Sequence, residues 1–154
     1  MQNSPRSDAG LDERLRLIVS SYQRITGKTL IGDVPSELPA LRDALWNAPR
    51  AIVAHGTEDD PIFFYGNRLA LQLFEMNADE FARLPSRLSA EPLAQEARVT
   101  LLEKVTQQGY VDGYSGMRIA KSGRRFMIAD TTVWNLLDAA GMRHGQAAVF
   151  IPAR

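Results

Sequence analysis

Residues 110–152 contain three strand-like runs separated by two short turns, and this pattern constrains the fold more than any other. "YVDGYSGMRIA" runs to a turn at "KSGR", "RFMIADTTVWNLL" runs to a turn at "DAAGMRHG", and "QAAVFIP" follows. Long runs joined by short turns can pair only with their neighbours and only antiparallel, so they predict a meander. In the second run Phe126, Ile128, Thr132, Trp134 and Leu136 share one side by period-2 alternation. Tyr110, Asp112, Tyr114 and Arg118 share a parity in the first. If that face meets helices, an arginine and two tyrosines line a cavity that suits an acidic ligand; if it is outside, they form a surface network. Parity does not say which face is inside, and a bulge can reset it.

Upstream, "AIVAH", the turn "GTEDDP" and "IFFY" read as a hairpin. Asn67 then sits where a strand gives way to a helix. Its side chain can accept a hydrogen bond from a free N–H of that helix's first turn, and Gly66 supplies backbone freedom at the bend. Leu69, Leu73 and Phe74 form the buried face of this helix. Asn77 with Glu80 resembles a capping box, and its short helix ends at Leu84-Pro85. After the polar loop "PSRLSAEP" comes a longer helix with Leu93, Ala97, Leu101 and Val105 on one face, ending at Gly109.

The first fifty residues carry no strand signal. The first ten are polar and expected to fray. Leu11, Leu15, Ile18, Tyr22 and Ile25 fall on one helical face that stops at Gly27. That face can pack on its own domain or pair with its copy in a dimer. A loop to Pro35 leads to a second short helix capped by Ser36, with Leu38, Leu41 and Leu45 on one face and a stop at Asn47–Pro49. The order is helix, helix, β, β, α, α, α, β, β, β. It predicts an α+β fold with one antiparallel sheet of about five strands, short helices covering one face, and two extra N-terminal helices. The expected division is a helical extension over 1–49 and a sheet domain over 50–154. Helices clamped over a sheet leave an interior space where small ligands bind.

Composition narrows the function classes. Lys+Arg and Asp+Glu are 18 each, so there is no basic excess for a broad nucleic-acid surface or a polybasic membrane contact. The absence of cysteine excludes disulfides, thiolate metal sites and a Cys nucleophile. No apolar run reaches the roughly 20 residues that span a bilayer, and the N-terminus has no apolar signal region. A cytoplasmic location is the default expectation. There is no glycine-rich phosphate loop, no G-x-S-x-G elbow and no paired metal motif.

The β-β-α-α-α-β-β-β order is that of the PAS fold, and the strand-then-"NRLALQLF" junction is PAS-like. More closely, the sequence resembles the MEKHLA domain. The matching strings are "HGTEDDPIFFYGNRLALQLFE" (55–75), "LPSRLSAEP" (84–92), "GYVDGYSGMRI" (109–119), "RRFMIADTTVWNL" (124–136) and "HGQAAVF" (144–150). The resemblance implies a PAS-like fold and, less directly, a role in sensing or regulation. In plants this domain ends homeodomain–leucine-zipper transcription factors, whose DNA-binding and lipid-binding domains this chain is too short to contain. Gln146 resembles in position the glutamine that flavin-binding PAS relatives set against their ring. Their reactive cysteine is missing here, which excludes that photochemistry and leaves flavin weakly supported; no cofactor is assigned.

The candidate ligand-binding residues are Tyr65, Tyr114, Arg118, Trp134 and Gln146, with Asn67 and His55 supporting. Each has a plainer role: Asn67 as a cap, Trp134 as core, His55 and His144 as strand-end hydrogen-bonding groups. The histidines with Glu58, Asp59 or Asp60 could hold a metal, without supporting spacing. Arg87 can bind a carboxylate or phosphate, or pin its loop through Glu91 or backbone carbonyls. Three functions stay open. The first is a sensory domain that binds a small organic ligand and signals through a homodimer or partner. The second is a ligand-free association module whose cavity is filled by Leu69, Phe74, Leu101 and Trp134, with a dimer seam at Ile18. The third is a small enzyme using His55 or His144 with a carboxylate. No catalytic residue is assigned, and neither nucleic acid nor membrane is an expected partner.

Overall fold

The meander forms as its turns require. The computed structural model describes residues 9–32, 35, 37–90 and 92–152. β3 (Tyr110–Ile119), β4 (Arg125–Leu137) and β5 (Arg143–Pro152) pair antiparallel in succession. β1 (Ala51–His55) and β2 (Phe63–Gly66) form the hairpin, and β1 docks on β5. The sheet order is therefore β2-β1-β5-β4-β3. The crossing from β2 to β3 carries α3 (Arg68–Phe74), α4 (Ala78–Phe81), a 3-10 turn at Ser86–Ser89 and α5 (Pro92–Gln108).

Helices cover both faces, not one. α1 (Ala9–Thr26) lays Leu15, Ile18, Val19 and Tyr22 on Ile52, Ala54, Tyr65, Trp134, Leu136 and Val149. α2 (Leu38–Trp46) adds Leu41 and Leu45 to this cluster. On the opposite face, Leu71 and Phe74 of α3 and Phe81 of α4 pack on Val53, Phe63, Phe126, Ile128 and Phe150. Leu101 and Val105 of α5 pack on Val133 beside them. Ile18 is completely buried in its own chain. The α1 face is thus spent on the chain's own sheet and offers no dimer seam.

Two parity expectations fail at irregularities in the ladder. Asp130 takes a left-handed conformation (φ 49°), and the β4–β5 register shifts between Ala129 and Thr132. One extra residue flips every side chain that follows. Phe126 and Ile128 therefore face α3–α5, whereas Trp134 and Leu136 face α1. In β3 the register shifts between Val111 and Tyr114. Tyr110 joins the α1 cluster, while Tyr114 and Arg118 keep the α3–α5 face, opposite Thr131 and Phe126. One tyrosine, not two, accompanies the arginine.

The junctions are built as the caps suggest, with three changes. Asn77 and Glu80 form a full capping box. Gly27 (φ 75°) and Gly109 (φ 96°) follow the ends of α1 and α5. Gly66 is required by close approach, not by unusual backbone angles: a Cβ there would meet the Phe81 ring at 2.8 Å. The buried stripe of α5 runs through Arg98, Leu101 and Val105, and Ala97 is exposed. α1 begins at Ala9, within the stretch expected to fray. The Ser36 cap, Glu91 and the Leu93 side chain lie outside the described residues.

Candidate functional site

The α5 face carries an unusual concentration of buried polar side chains. His55, Arg98, Arg118, Thr131, Asn135 and Gln146 are all buried there. Some simply bolt the helix down. Gln146 donates from Nε2 to Leu102 O (3.3 Å), Thr106 Oγ1 (3.0 Å) and Asn135 Oδ1 (3.1 Å), and Asn135 donates to Val105 O at 3.0 Å. Three acceptors exhaust the two N–H groups of one amide. The donor side of Gln146 is thereby committed to holding α5 on β4 and β5.

The rest of the set surrounds space. A small chamber of about 50 Å³ lies between the sheet and α5. Phe63, Phe74, Leu101 and Ile128 form apolar walls, and His55, Arg98, Arg118 and Gln146 contribute polar groups. Outside it an open groove of about 390 Å³ runs along Thr57, Glu58, Glu103 and Arg143. His55, Arg98, Leu102 and Gln146 line both spaces, so they form the throat between them.

His55 Nδ1 lies 3.0 Å from the Gly56 carbonyl, which makes it the N–H donor and leaves Nε2 as an acceptor. Nε2 is buried with no hydrogen-bond partner among the described residues. Burial pushes the His55 pKa down to about 4, with the nearby Arg98 and Arg143 adding to that and the Gly56 hydrogen bond and Glu58 opposing it. His55 is therefore neutral near pH 7. Gly145 is needed beside it, because a Cβ there would fall 2.0 Å from the His55 carbonyl oxygen. Arg118 donates to Met117 O at 2.8 Å and its guanidinium sits 5.8 Å from the Tyr114 ring centroid. Tyr114 in turn folds across Gly116, where a Cβ would meet its hydroxyl at 2.4 Å.

The remaining candidates lie elsewhere. Trp134 is on the α1 face, donating to Ile18 O at 3.2 Å and meeting Tyr22 edge-on at 4.8 Å. Tyr65 is on the same face, with a buried hydroxyl that has no hydrogen-bond partner among the described residues. Asn67 is fully buried and fully used: Oδ1 accepts from Ile52 N (3.0 Å) and Ala70 N (3.1 Å), and Nδ2 donates to Leu45 O (3.0 Å) and Arg50 O (2.8 Å). It ties the end of α2, the start of β1 and the first turn of α3 together. His144 pairs with Asp138 of the β4–β5 turn at 2.8 Å. Arg87 pins its loop through Asp60, at 3.1 Å from Nε to each carboxylate oxygen. Among the described residues no group of three or more His, Asp or Glu could hold a metal ion, and no helix is long and apolar enough to cross a membrane.

Arg98 is the site residue that the sequence reading missed. Counting back from Val105 and Leu101 by four and three reaches Arg98; counting by fours reaches Ala97. Both spacings are helical, and apolarity favoured the alanine.

The model of the MEKHLA domain matches residues 12–153. The chain belongs to the MEKHLA domain family. The match takes in α1 and α2 as well as the sheet, so the MEKHLA segment reaches well upstream of residue 50. Among curated relatives, the homeobox-leucine zipper protein HOX9 of Oryza sativa subsp. indica is 24% identical over 136 residues, 88% of this chain and 16% of that protein. ATHB-9 of Arabidopsis thaliana is 25% identical over 134 residues, 84% of this chain and 16% of its own length. The chain thus spans about a sixth of these relatives. Among solved structures, the PAS domain of a protein from Colwellia psychrerythraea superposes with TM-score 0.66 at 16% identity, over 75% of this chain and 96% of that one. A light-oxygen-voltage domain studied with a flavin analogue gives TM-score 0.62 at 19% identity, over 75% and 85%. The MEKHLA fold here is a PAS fold.

Proposed function

We propose that this MEKHLA chain is a sensory domain that binds a small organic ligand between α5 and the sheet. The bound state then passes to a partner or to a second copy. The observation that carries this reading is the polar lining of the chamber. Three side chains at least nine-tenths buried (His55, Arg98 and Arg118) line a space between helix and sheet, and one of them keeps an unpartnered acceptor there. Buried polar groups are ordinarily satisfied, and a buried orphan calls for an explanation. α5 is fastened to β4 and β5 through the Gln146–Asn135 pair next to the throat. A ligand that moves α5 would therefore act on the central strands, as a shift between pre-existing populations. Flavin suits the site poorly: about 50 Å³ is far below the roughly 300 Å³ or more of a drug-sized pocket, and the donors of Gln146 are taken.

The test is native mass spectrometry of freshly purified protein beside its denatured mass. A released small molecule supports the reading. An empty protein that no small molecule stabilises against heat removes it.

A second reading, as an association module, has its own observation. Met117 faces Met127 and Ala129 faces Ile151 across neighbouring strands, on the sheet face that α1 occupies at its other end. Met117, Met127 and Ile151 are 36%, 39% and 38% exposed. Exposed apolar residues grouped on a sheet favour docking of another surface. Under this reading the double variant Met117→Glu, Met127→Glu is monomeric in light scattering where the parent is dimeric. Equal masses for parent and variant would dismiss it.

A further inference from the structure

Arg98 and Arg118 are 7% and 8% exposed, and neither has an acidic partner among the described residues. Each donates to a neutral oxygen: Arg98 to Ser86 Oγ, Arg118 to Met117 O. Among the described residues the carboxylate that acts favourably on Arg98 is Asp60, whose two oxygens are held by Arg87. The two cations also act unfavourably on each other. Burial first and Arg118 second push the Arg98 pKa down to about 10, which still leaves it charged near neutrality. Among the described residues the fold therefore keeps two positive charges out of water with no carboxylate in direct contact with either, an arrangement that costs stability.

We propose that the chamber is the binding site of a small organic carboxylate, held by Arg98 and Arg118 with its apolar body against Phe63, Phe74, Leu101 and Ile128. The proposal rests on the reading that the chamber takes a ligand, and it supplies the chemical class. Guanidinium groups match a carboxylate with paired N–H donors. A carboxylate fits this lining better than phosphate does. Its two oxygens lie at one end and its carbon chain at the other, and the lining offers guanidinium groups for the first and apolar walls for the second. A phosphate would turn oxygens toward walls that cannot satisfy them. A chamber of about 50 Å³ limits the enclosed part to a few heavy atoms, and a longer chain has the groove of about 390 Å³ beyond the throat.

The test is thermal unfolding of the full chain in butyrate, in butyramide (its neutral analogue) and in inorganic phosphate, at constant ionic strength set with chloride. Arg98→Met, Arg118→Met and Arg118→Lys are run alongside. The expected result is a rise in Tm with butyrate that saturates, as a single site requires, and none with butyramide or phosphate. Each methionine variant should raise the Tm of the ligand-free protein by about 2 °C or more, because a buried charge is gone. Each should also lose the butyrate response. Arg118→Lys keeps the charge without the paired donors and should weaken butyrate at least tenfold while remaining folded.

Equal stabilisation by butyrate and butyramide overturns the carboxylate and leaves a small-ligand cavity standing. A response to phosphate alone overturns it in favour of that anion. Methionine variants of lower Tm, or a butyrate response that survives in them, show that the arginines serve the fold and overturn the proposal. No response to any of the three probes overturns it as well. Whether the cavity takes a ligand at all is then decided separately, by what native mass spectrometry releases.

Discussion

The two faces of the sheet are built on opposite terms. Under α1 the packing is dry: Trp134, Tyr22, Ile18 and Leu15 are buried together, and the Trp134 N–H is satisfied by the Ile18 carbonyl. Between α5 and the same sheet lie two arginines, a histidine whose Nε2 has no hydrogen-bond partner among the described residues, and a chamber of about 50 Å³. One face is optimised for stability; the other keeps polar groups whose burial lowers it. The difference teaches where to look for function, since a fold tolerates such a cost where the groups do something else.

The largest effect should come from breaking the dry face. Trp134→Ala removes the side chain at its centre, its edge-on contact with Tyr22 and the hydrogen bond that holds α1. Urea unfolding should show a loss of about 3–5 kcal/mol. A loss under about 1 kcal/mol would mean that α1 is not fastened through this residue.

The polar face should show itself through pH. His55 has an ordinary pKa of 6.5 when unfolded and about 4 when folded. Between these values the unfolded chain binds more protons than the folded one. Stability is then fully present above 6.5 and is lost as pH falls toward 4. The loss reaches about 3 kcal/mol if His55 stays buried. The neighbouring charges are Arg98 and Arg143, which oppose protonation, and Glu58, which favours it. In His55→Gln the slope of stability between pH 6.5 and 4 should flatten; an unchanged slope would place the acid sensitivity elsewhere.

Asn67 sharpens the contrast because it belongs to neither face. Its four hydrogen bonds all go to backbone groups of α2, the loop after it, β1 and α3. Asn67→Ala leaves those groups unsatisfied and should cost about 2–3 kcal/mol in urea unfolding, with no change in ligand response. A change in ligand response without loss of stability would return Asn67 to the binding residues.

Much of this fold is legible in the sequence. The meander, the hairpin, the Asn67 and Asn77 caps and the PAS order follow from turns, alternation and capping chemistry, all of which act over a few residues. What was not legible depends on events that leave almost no local trace. The left-handed turn at Asp130 moved Trp134 from the expected cavity to the α1 face. The register shift in β3 separated Tyr110 from Arg118. Arg98 was hidden because a buried arginine in a helix stripe reads as a solvated one until its surroundings are known. Of the polar side chains that line the chamber, Arg118, Gln146 and His55 stand out in the sequence and the second arginine does not.

The smallest effect tests a blemish on the dry face. The Tyr65 hydroxyl is buried beneath α1 and has no hydrogen-bond partner among the described residues. Burial alone raises its pKa, so it remains protonated across the accessible range. Removing it keeps the ring and its packing and abolishes only an unsatisfied donor. Tyr65→Phe should therefore gain about 1 kcal/mol in urea unfolding, opposite in sign to Trp134→Ala on the same face. If the variant is less stable instead, the hydroxyl has a partner in solution. The α1 face would then have a polar function of its own, and the division between the two faces would fail at this residue.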